Sequence, residues 1–233
     1  MTRSISAAIA ISLSLVTAPT AQAQKASAAA ASERSESSSD LMKLGEILVF
    51  TPSPSKPGAD PKAHAFQADR GNRKGQYLVV STARGSAGSS EYHLLGAGKV
   101  GALPDVDVLG IHYIKVRPDR HVAFERFVAE KLHPAVGNLR PDLRLLYYKA
   151  VQGPDAGSYI TIFALTRASR DKYWPGGSDS DDLRAAFKPV QPLTSELITY
   201  LVEGSALTDP KFAAAVYESR EWSDFVLITP GLP

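Results

Sequence analysis

Residues 108–116, Val-Leu-Gly-Ile-His-Tyr-Ile-Lys-Val, form an almost unbroken apolar run, the pattern of a strand covered on both faces. Pro118-Asp119 then opens a helix, with Asp119 as its N-cap. Val122, Phe124, Phe127, Val128, Leu132 and Val136 recur at helical spacing as one apolar stripe, which Pro134 and Gly137 bring to an end. Residues 143–151 and 159–165 are two further strand-like runs. Between them Gly153-Pro154-Asp155-Ala156-Gly157 has the residues a hairpin loop requires. A second helical region spans 181–202, with Phe187, Leu193, Leu197 and Leu201 on its buried face and Pro189 and Pro192 dividing it. Thr208-Asp209-Pro210 starts a short helix carrying Phe212, Val216 and Tyr217, and 225–229 is the closing strand.

The order over 106–229 is therefore β-α-β-β-α-β, the arrangement of a ferredoxin-like unit. The first half repeats the strands without the helices. Strands are expected over 45–50, 64–68, 76–81 and 92–95. A proline-rich link at 51–61 stands where the first helix should be, and the short segment 84–90 replaces the second. Residues 68–80 align without gaps on 150–162, and 90–95 align on 223–228 in the same order. An internal repeat of this kind changes the fold assignment, because two strand sets then build one architecture.

The ends add a processing reading. Arg3, an apolar stretch over 5–16 and Ala21-Gln22-Ala23 have the layout of a signal peptide cleaved near Ala23. The apolar stretch is shorter than the roughly 20 residues that span a bilayer, so no membrane insertion is expected. The organisation read from the chain is a signal peptide (1–23), a disordered leader (24–43), a β-rich first repeat (44–97), a linker (98–105) and the α/β repeat (106–229). An exported product, periplasmic or secreted, follows. It contains no cysteine, so its stability must come from a buried core. Losing Arg3 lowers the formal charge from +2 to +1, which steers neither nucleic acid nor anionic membrane to the surface.

From Val108-Leu109-Gly110-Ile111-His112-Tyr113-Ile114-Lys115-Val116-Arg117-Pro118 through Tyr159-Ile160-Thr161-Ile162-Phe163, the chain resembles the dimeric α/β-barrel superfamily, which includes NIPSNAP-type, antibiotic-biosynthesis-monooxygenase and EthD-like proteins. The resemblance implies an α+β fold. Two ferredoxin-like sheets, here both supplied by one chain, would close a barrel, as a pseudo-dimeric monomer or within a homodimer. It also implies a wide range of activities, among them cofactor-free oxygenases, isomerases, haem binders and proteins without activity, so function must be argued from the site.

The glycine pattern Gly96-Ala97-Gly98-Lys99-Val100-Gly101 is that of a dinucleotide loop, but Pro104-Asp105 follows where the helix should run, and a linker is the better reading. His64, His93, His112, His121 and His133 are scattered without metal spacing, so no metal site is expected. His121 should face solvent in the first helical turn, and His133 should complement a helix C-terminus. The superfamily resemblance makes either a possible haem ligand; otherwise no cofactor is expected. His112 stands out as a polar residue inside an apolar strand. If it faced the barrel lumen it would act as a general base or orient a ligand. Tyr113, Tyr148, Tyr159 and Trp174 would line a cavity for a flat apolar molecule, with Arg144 at a charged mouth. Tyr147 and Tyr148, adjacent on a strand, must point to opposite faces. Arg126, Lys131 and Arg140 read as a solvated face. The expected role is that of an exported protein, without a strong catalytic signature, that binds a small apolar or aromatic ligand. The alternatives are a cofactor-independent oxygenase or isomerase using His112 as base, and a haem-binding protein.

Overall fold

The computed structural model describes residues 46–58, 60, 62–82, 87–95, 106–136, 139–140, 142–203 and 216–228. The leader, the glycine-rich linker and the segment 204–215 with its expected short helix lie outside them. Eight strands, β1 (Ile47–Ser53), β2 (Ala63–Gly71), β3 (Tyr77–Ser81), β4 (Ser90–Leu94), β5 (Val108–Val116), β6 (Arg144–Gln152), β7 (Tyr159–Leu165) and β8 (Tyr217–Leu227), close into one barrel. Around the barrel they run β1-β3-β2-β8-β5-β7-β6-β4, every neighbouring pair antiparallel. The chain is thus an α+β protein built on a closed antiparallel barrel, which leaves no strand edge unpaired.

The circular order divides into β4-β1-β3-β2 and β8-β5-β7-β6, the same fourth-first-third-second sequence twice. The β2–β3 and β6–β7 turns also match bond for bond. Gly75 donates to Ala68 and Gln76 to Arg73; in the other turn Gly157 donates to Ala150 and Ser158 to Asp155. Both joints between the two strand sets carry a bulge at the corresponding place, between Ala68 and Arg70 on β2 and opposite Glu91 and Tyr92 on β6.

Side chains pointing inward fill the barrel. Leu48, Phe50, Phe66, Leu78, Val80 and Tyr92 from the first strand set meet Leu109, Ile111, Leu146, Tyr148, Ile160, Ile162 and Phe225 from the second. Fully burying side chains of this size stabilises the fold by roughly 1.5–3 kcal/mol each. A second core lies outside the barrel, where helices cover β5–β8. It packs Val108, Ile114, Leu145, Tyr147, Tyr159 and Phe163 against Phe124, Phe127, Leu132, Leu183, Phe187, Leu197 and Leu201. Covered on both sides, all seven residues of β7 are buried, whereas β3 alternates between buried and half-buried.

The helix layer departs from the sequence reading in several places. The first helix is α1 (His121–Phe127) preceded by a 3-10 turn, Pro118–Arg120, and continued through a π-helical stretch, Val128–Leu132, into α2 (His133–Val136). Asp119 does not cap it. Its carboxylate instead accepts two hydrogen bonds from the Arg117 guanidinium, at 2.5 and 2.6 Å. The second region, 181–202, is two helices, and a further helix precedes it. The sequence reading missed α3 (Arg167–Tyr173), which Thr166 caps by accepting from the Ser169 amide at 3.0 Å. Ser180 caps α4 (Asp181–Phe187) in the same way. Residues 188–190, with Pro189, separate α4 from α5 (Gln191–Glu203), and Pro192 sits in the first turn of α5, where it is tolerated. The last strand starts at Tyr217, eight residues before its expected start, so Tyr217 is strand and not helix. No helix among the described residues is long and apolar enough to cross a membrane.

Candidate functional site

The space between the two sheets is occupied by the barrel core. One mouth is plugged by the two matching turns. The Arg73 guanidinium lies 4.0 Å from the Tyr113 ring centroid and donates through Nε to Glu221 at 2.7 Å. From the opposite turn, Asp155 accepts from the Ser90 and Tyr92 hydroxyls, both at 2.8 Å. Burial pushes the Tyr113 phenol up to about 12, and it stays un-ionised at any ordinary pH.

An open cleft lies instead on the outer wall, between β5, β8 and the α3 region. It is shallow and open to solvent, and its lining includes Arg70, His112, Phe163, Trp174, Trp222 and Asp224. Strand register builds its floor. On β5, Gly110 and His112 point outward, Gly110 between Phe163 on β7 and Asp224 on β8, and His112 beside Trp222. A methyl group at Gly110 would stand 3.2 Å from both the Asp224 carboxylate and Phe163 Cβ, so glycine keeps the pit open. The bulge at Asp69 on β2 sets Arg70 opposite Asp224. On the other side, α3 ends at Trp174. Arg170, almost fully buried, fastens α3 to the bulge through a 2.7 Å hydrogen bond to Asp69.

The result is an aromatic strip. Trp174 meets Phe163 edge-on at 5.3 Å, Phe163 meets His112 at 5.9 Å, and His112 stacks on Trp222 at 6.4 Å. Both tryptophans of the chain are in it. Burial lowers the His112 imidazole to about 4, so it is neutral at physiological pH. Burial raises the Asp224 carboxyl to about 6 against the pull of Arg170 and Arg70, and Asp69 adds to the rise. Among the described residues, neither the His112 ring nor the Asp224 carboxyl has a hydrogen-bond partner. At the rim, burial also raises Asp179, although a hydrogen bond from Trp174 opposes it.

The residues singled out from sequence separate onto two faces. His112 faces the helix layer, contrary to the lumen-facing possibility, because Leu109, Ile111 and Tyr113 take the inward positions of β5. It nevertheless borders the open cleft, as does Trp174. Tyr113 and Tyr148 are packed in the barrel core. Arg144 starts β6 on the same inward face, opposite Ala164. Tyr159 is buried under the helices, where its hydroxyl donates to Glu125 at 2.6 Å. His121 is not turned to solvent; its Nε2 lies 3.0 Å from the Val116 carbonyl and its ring meets Tyr159 edge-on. His133 is half-buried, which lowers its pKa. No cluster of three metal-binding side chains occurs among the described residues.

Arg70, Gly110, Trp222 and Asp224 escaped the sequence reading. The early start of β8 hid Trp222 and Asp224, and the bulge at Asp69 turned Arg70. The one available signal was the pair of tryptophans, each beside acidic and basic residues.

No known family profile matches the chain, and no curated protein matches it at a significant level. Among solved structures it is similar to a heme-degrading enzyme from Listeria monocytogenes. The two are 15% identical, the TM-score is 0.39, and the match covers 76% of this chain and 98% of that one, a likeness too distant to carry a function across.

Proposed function

We propose that this protein is a small-molecule binding protein of the tandem dimeric α/β-barrel type, and that it holds a flat, largely apolar ligand in the outer cleft and not in the lumen. The observation that carries this reading is the convergence of Trp174, Trp222, Phe163 and a neutral His112 over the open pit at Gly110. A concave, mainly apolar site with a few unpaired polar groups is the usual form of a ligand pocket. If residues 1–23 are removed on export, binding takes place outside the cytoplasm.

Two other readings fit the cleft less well. A cofactor-independent oxygenase or isomerase needs a proton acceptor, and His112, lowered to about 4, is a weak one; Asp224, at about 6, is better matched to neutral pH. Haem would bring two propionates to a rim where Arg70 and Arg170 are already engaged with Asp171 and Asp69, and the His112 ring is flanked by Trp222 and Phe163.

The test is a thermal-shift screen of the purified protein with aromatic and aliphatic compounds, read in parallel by tryptophan fluorescence. Aromatic compounds should raise the melting temperature and alter emission, since ligand that binds only the folded state stabilises it. Trp222→Ala should remove both responses. If no aromatic compound moves either signal, the binding role is wrong.

A further inference from the structure

Resting on that reading of the cleft, we infer that the ligand carries a positively charged, hydrogen-bond-donating nitrogen, with its flat part against the tryptophans and its nitrogen on Asp224. Three observations lead there. First, Asp224 sits on the floor beside Gly110, half-buried and with no hydrogen-bond donor among the described residues, so its carboxyl is open to a donor from a ligand.

Second, the cations nearest Asp224 are engaged elsewhere, which leaves its carboxyl open to a nitrogen from a ligand. From β2, Arg70 and Asp69 face it; from α3, Arg170 and Asp171 stand behind them; Asp179 closes the rim; and His112 on β5 is neutral. Besides Asp224 itself, two guanidiniums thus stand among three carboxylates. Both guanidiniums are committed, Arg70 to Asp171 and the Trp174 carbonyl, and Arg170 to Asp69 and Asp171. Arg184, in range of Asp179, is committed to Asp181. Third, the aromatic strip supplies ring faces, and Trp faces attract organic cations.

Binding then displaces a proton. Asp224, about half protonated near pH 6 in the free protein, releases its proton to solvent when an ammonium group takes its place. Affinity for the cation should rise about tenfold between pH 5 and pH 7 as the ionised fraction of Asp224 rises.

The experiment compares three probes of one shape, 2-phenylethylamine, 2-phenylethanol and 3-phenylpropionate, by tryptophan fluorescence titration and calorimetry. At pH 7 the amine should bind about tenfold tighter than the alcohol, a difference of about 1.4 kcal/mol, and the carboxylate should bind more weakly than either. Asp224→Asn, nearly isosteric, should lower amine affinity about tenfold and leave the alcohol within about twofold, which also shows that the cleft is still formed. The wild-type ranking stands on its own if the variant fails to fold. Equal affinities, or a tighter carboxylate, overturn the cationic ligand while the cleft remains a binding site. No binding of any probe, with a negative screen, overturns both.

Discussion

The barrel has two outer faces with the same strand lattice, and they have been decorated in opposite ways. Gly110 lies between Phe163 and Asp224; at the corresponding place in the first strand set, Val49 lies between Ser81 and Glu91. His112 is beside Trp222, whereas Thr51 shares a 2.6 Å hydrogen bond with Ser89. Arg70 follows one bulge and Gln152 the other. On the helix-covered side the positions hold two large rings, an imidazole, a guanidinium and a carboxylate around a glycine pit. On the other side they hold Ser81, Thr51, Ser89, Gln152 and a glutamate, Glu91, that His93 contacts, and a valine fills the pit. Closing the barrel thus needs only strand pairing and an apolar lumen, which both sides supply. A cleft needs a wall to stand away from the sheet, and on this side the α3 region supplies it.

The strongest test of the lattice equivalence is at the plugged mouth. Gly71 and Gly153 both have positive φ, and a Cβ on either would lie 2.3 Å from the Trp222 carbonyl oxygen or 2.1 Å from that of Ser89. Those oxygens are backbone and cannot swing aside. Gly71→Ala and Gly153→Ala should each cost about 3–5 kcal/mol in denaturant melts. Gly75→Ala and Gly157→Ala, with positive φ but no close neighbour, should cost about 1–2 kcal/mol. A cost at Gly71 far below that at Gly153 would show that the two turns do not share a structural role.

The next largest effect distinguishes the faces by titration. Asp224 rises from 3.8 to about 6 on folding, so the folded state holds the extra proton and this group's contribution is full at low pH and is lost as pH climbs through 4–6. His112 falls from 6.5 to about 4, so the unfolded state holds the extra proton and its contribution grows over 4–6.5. Each is on the order of 3 kcal/mol, with opposite sign, and they nearly cancel. His112→Gln should therefore leave stability falling from pH 4 to 6, and Asp224→Asn should leave it rising. Urea melts across that range decide the matter; parallel slopes in the two variants would mean that the cleft groups are not desolvated. Thr51→Val, on the other face, should leave the slope unchanged.

Much of this was legible in the chain. Residues 108–116 and 159–165 marked their strands to the residue, because burial on both faces makes an apolar run with sharp ends. The 68–80 and 150–162 correspondence pointed to turns that do match in their hydrogen bonds. The failures share a cause in tertiary context. Strand β8 extends back through Tyr-Glu-Ser-Arg-Glu-Trp, a polar stretch that forms strand because β5 pairs along it. Helix α3 is short and charged and depends on its cap and on Arg170. His112 was correctly marked as unusual, but the side it faces depends on register, which one sequence does not reveal.

A smaller effect converts one face toward the other. Gly110→Val copies Val49 and fills the pit against Phe163 and Asp224, at a cost of about 1–3 kcal/mol for overpacking. It should abolish probe binding while the far-ultraviolet spectrum stays that of the parent. Retained affinity would place the ligand elsewhere than over Gly110.

The smallest effect asks whether the wall and the barrel are one cooperative unit. Thr166 caps α3, and α3 delivers Trp174 to the cleft. Thr166→Ala removes the cap and should destabilise α3 by about 1 kcal/mol. Because the barrel ladder closes on itself without α3, that loss should be local. Amide exchange should quicken about fivefold in α3, with β2, β3 and β4 unchanged, and probe affinity should fall by a similar factor. Matching acceleration in the barrel strands would mean that α3 opens only when the whole molecule unfolds. The two faces would then be parts of a single stability unit, and a barrel that closes independently of its wall would no longer describe this protein.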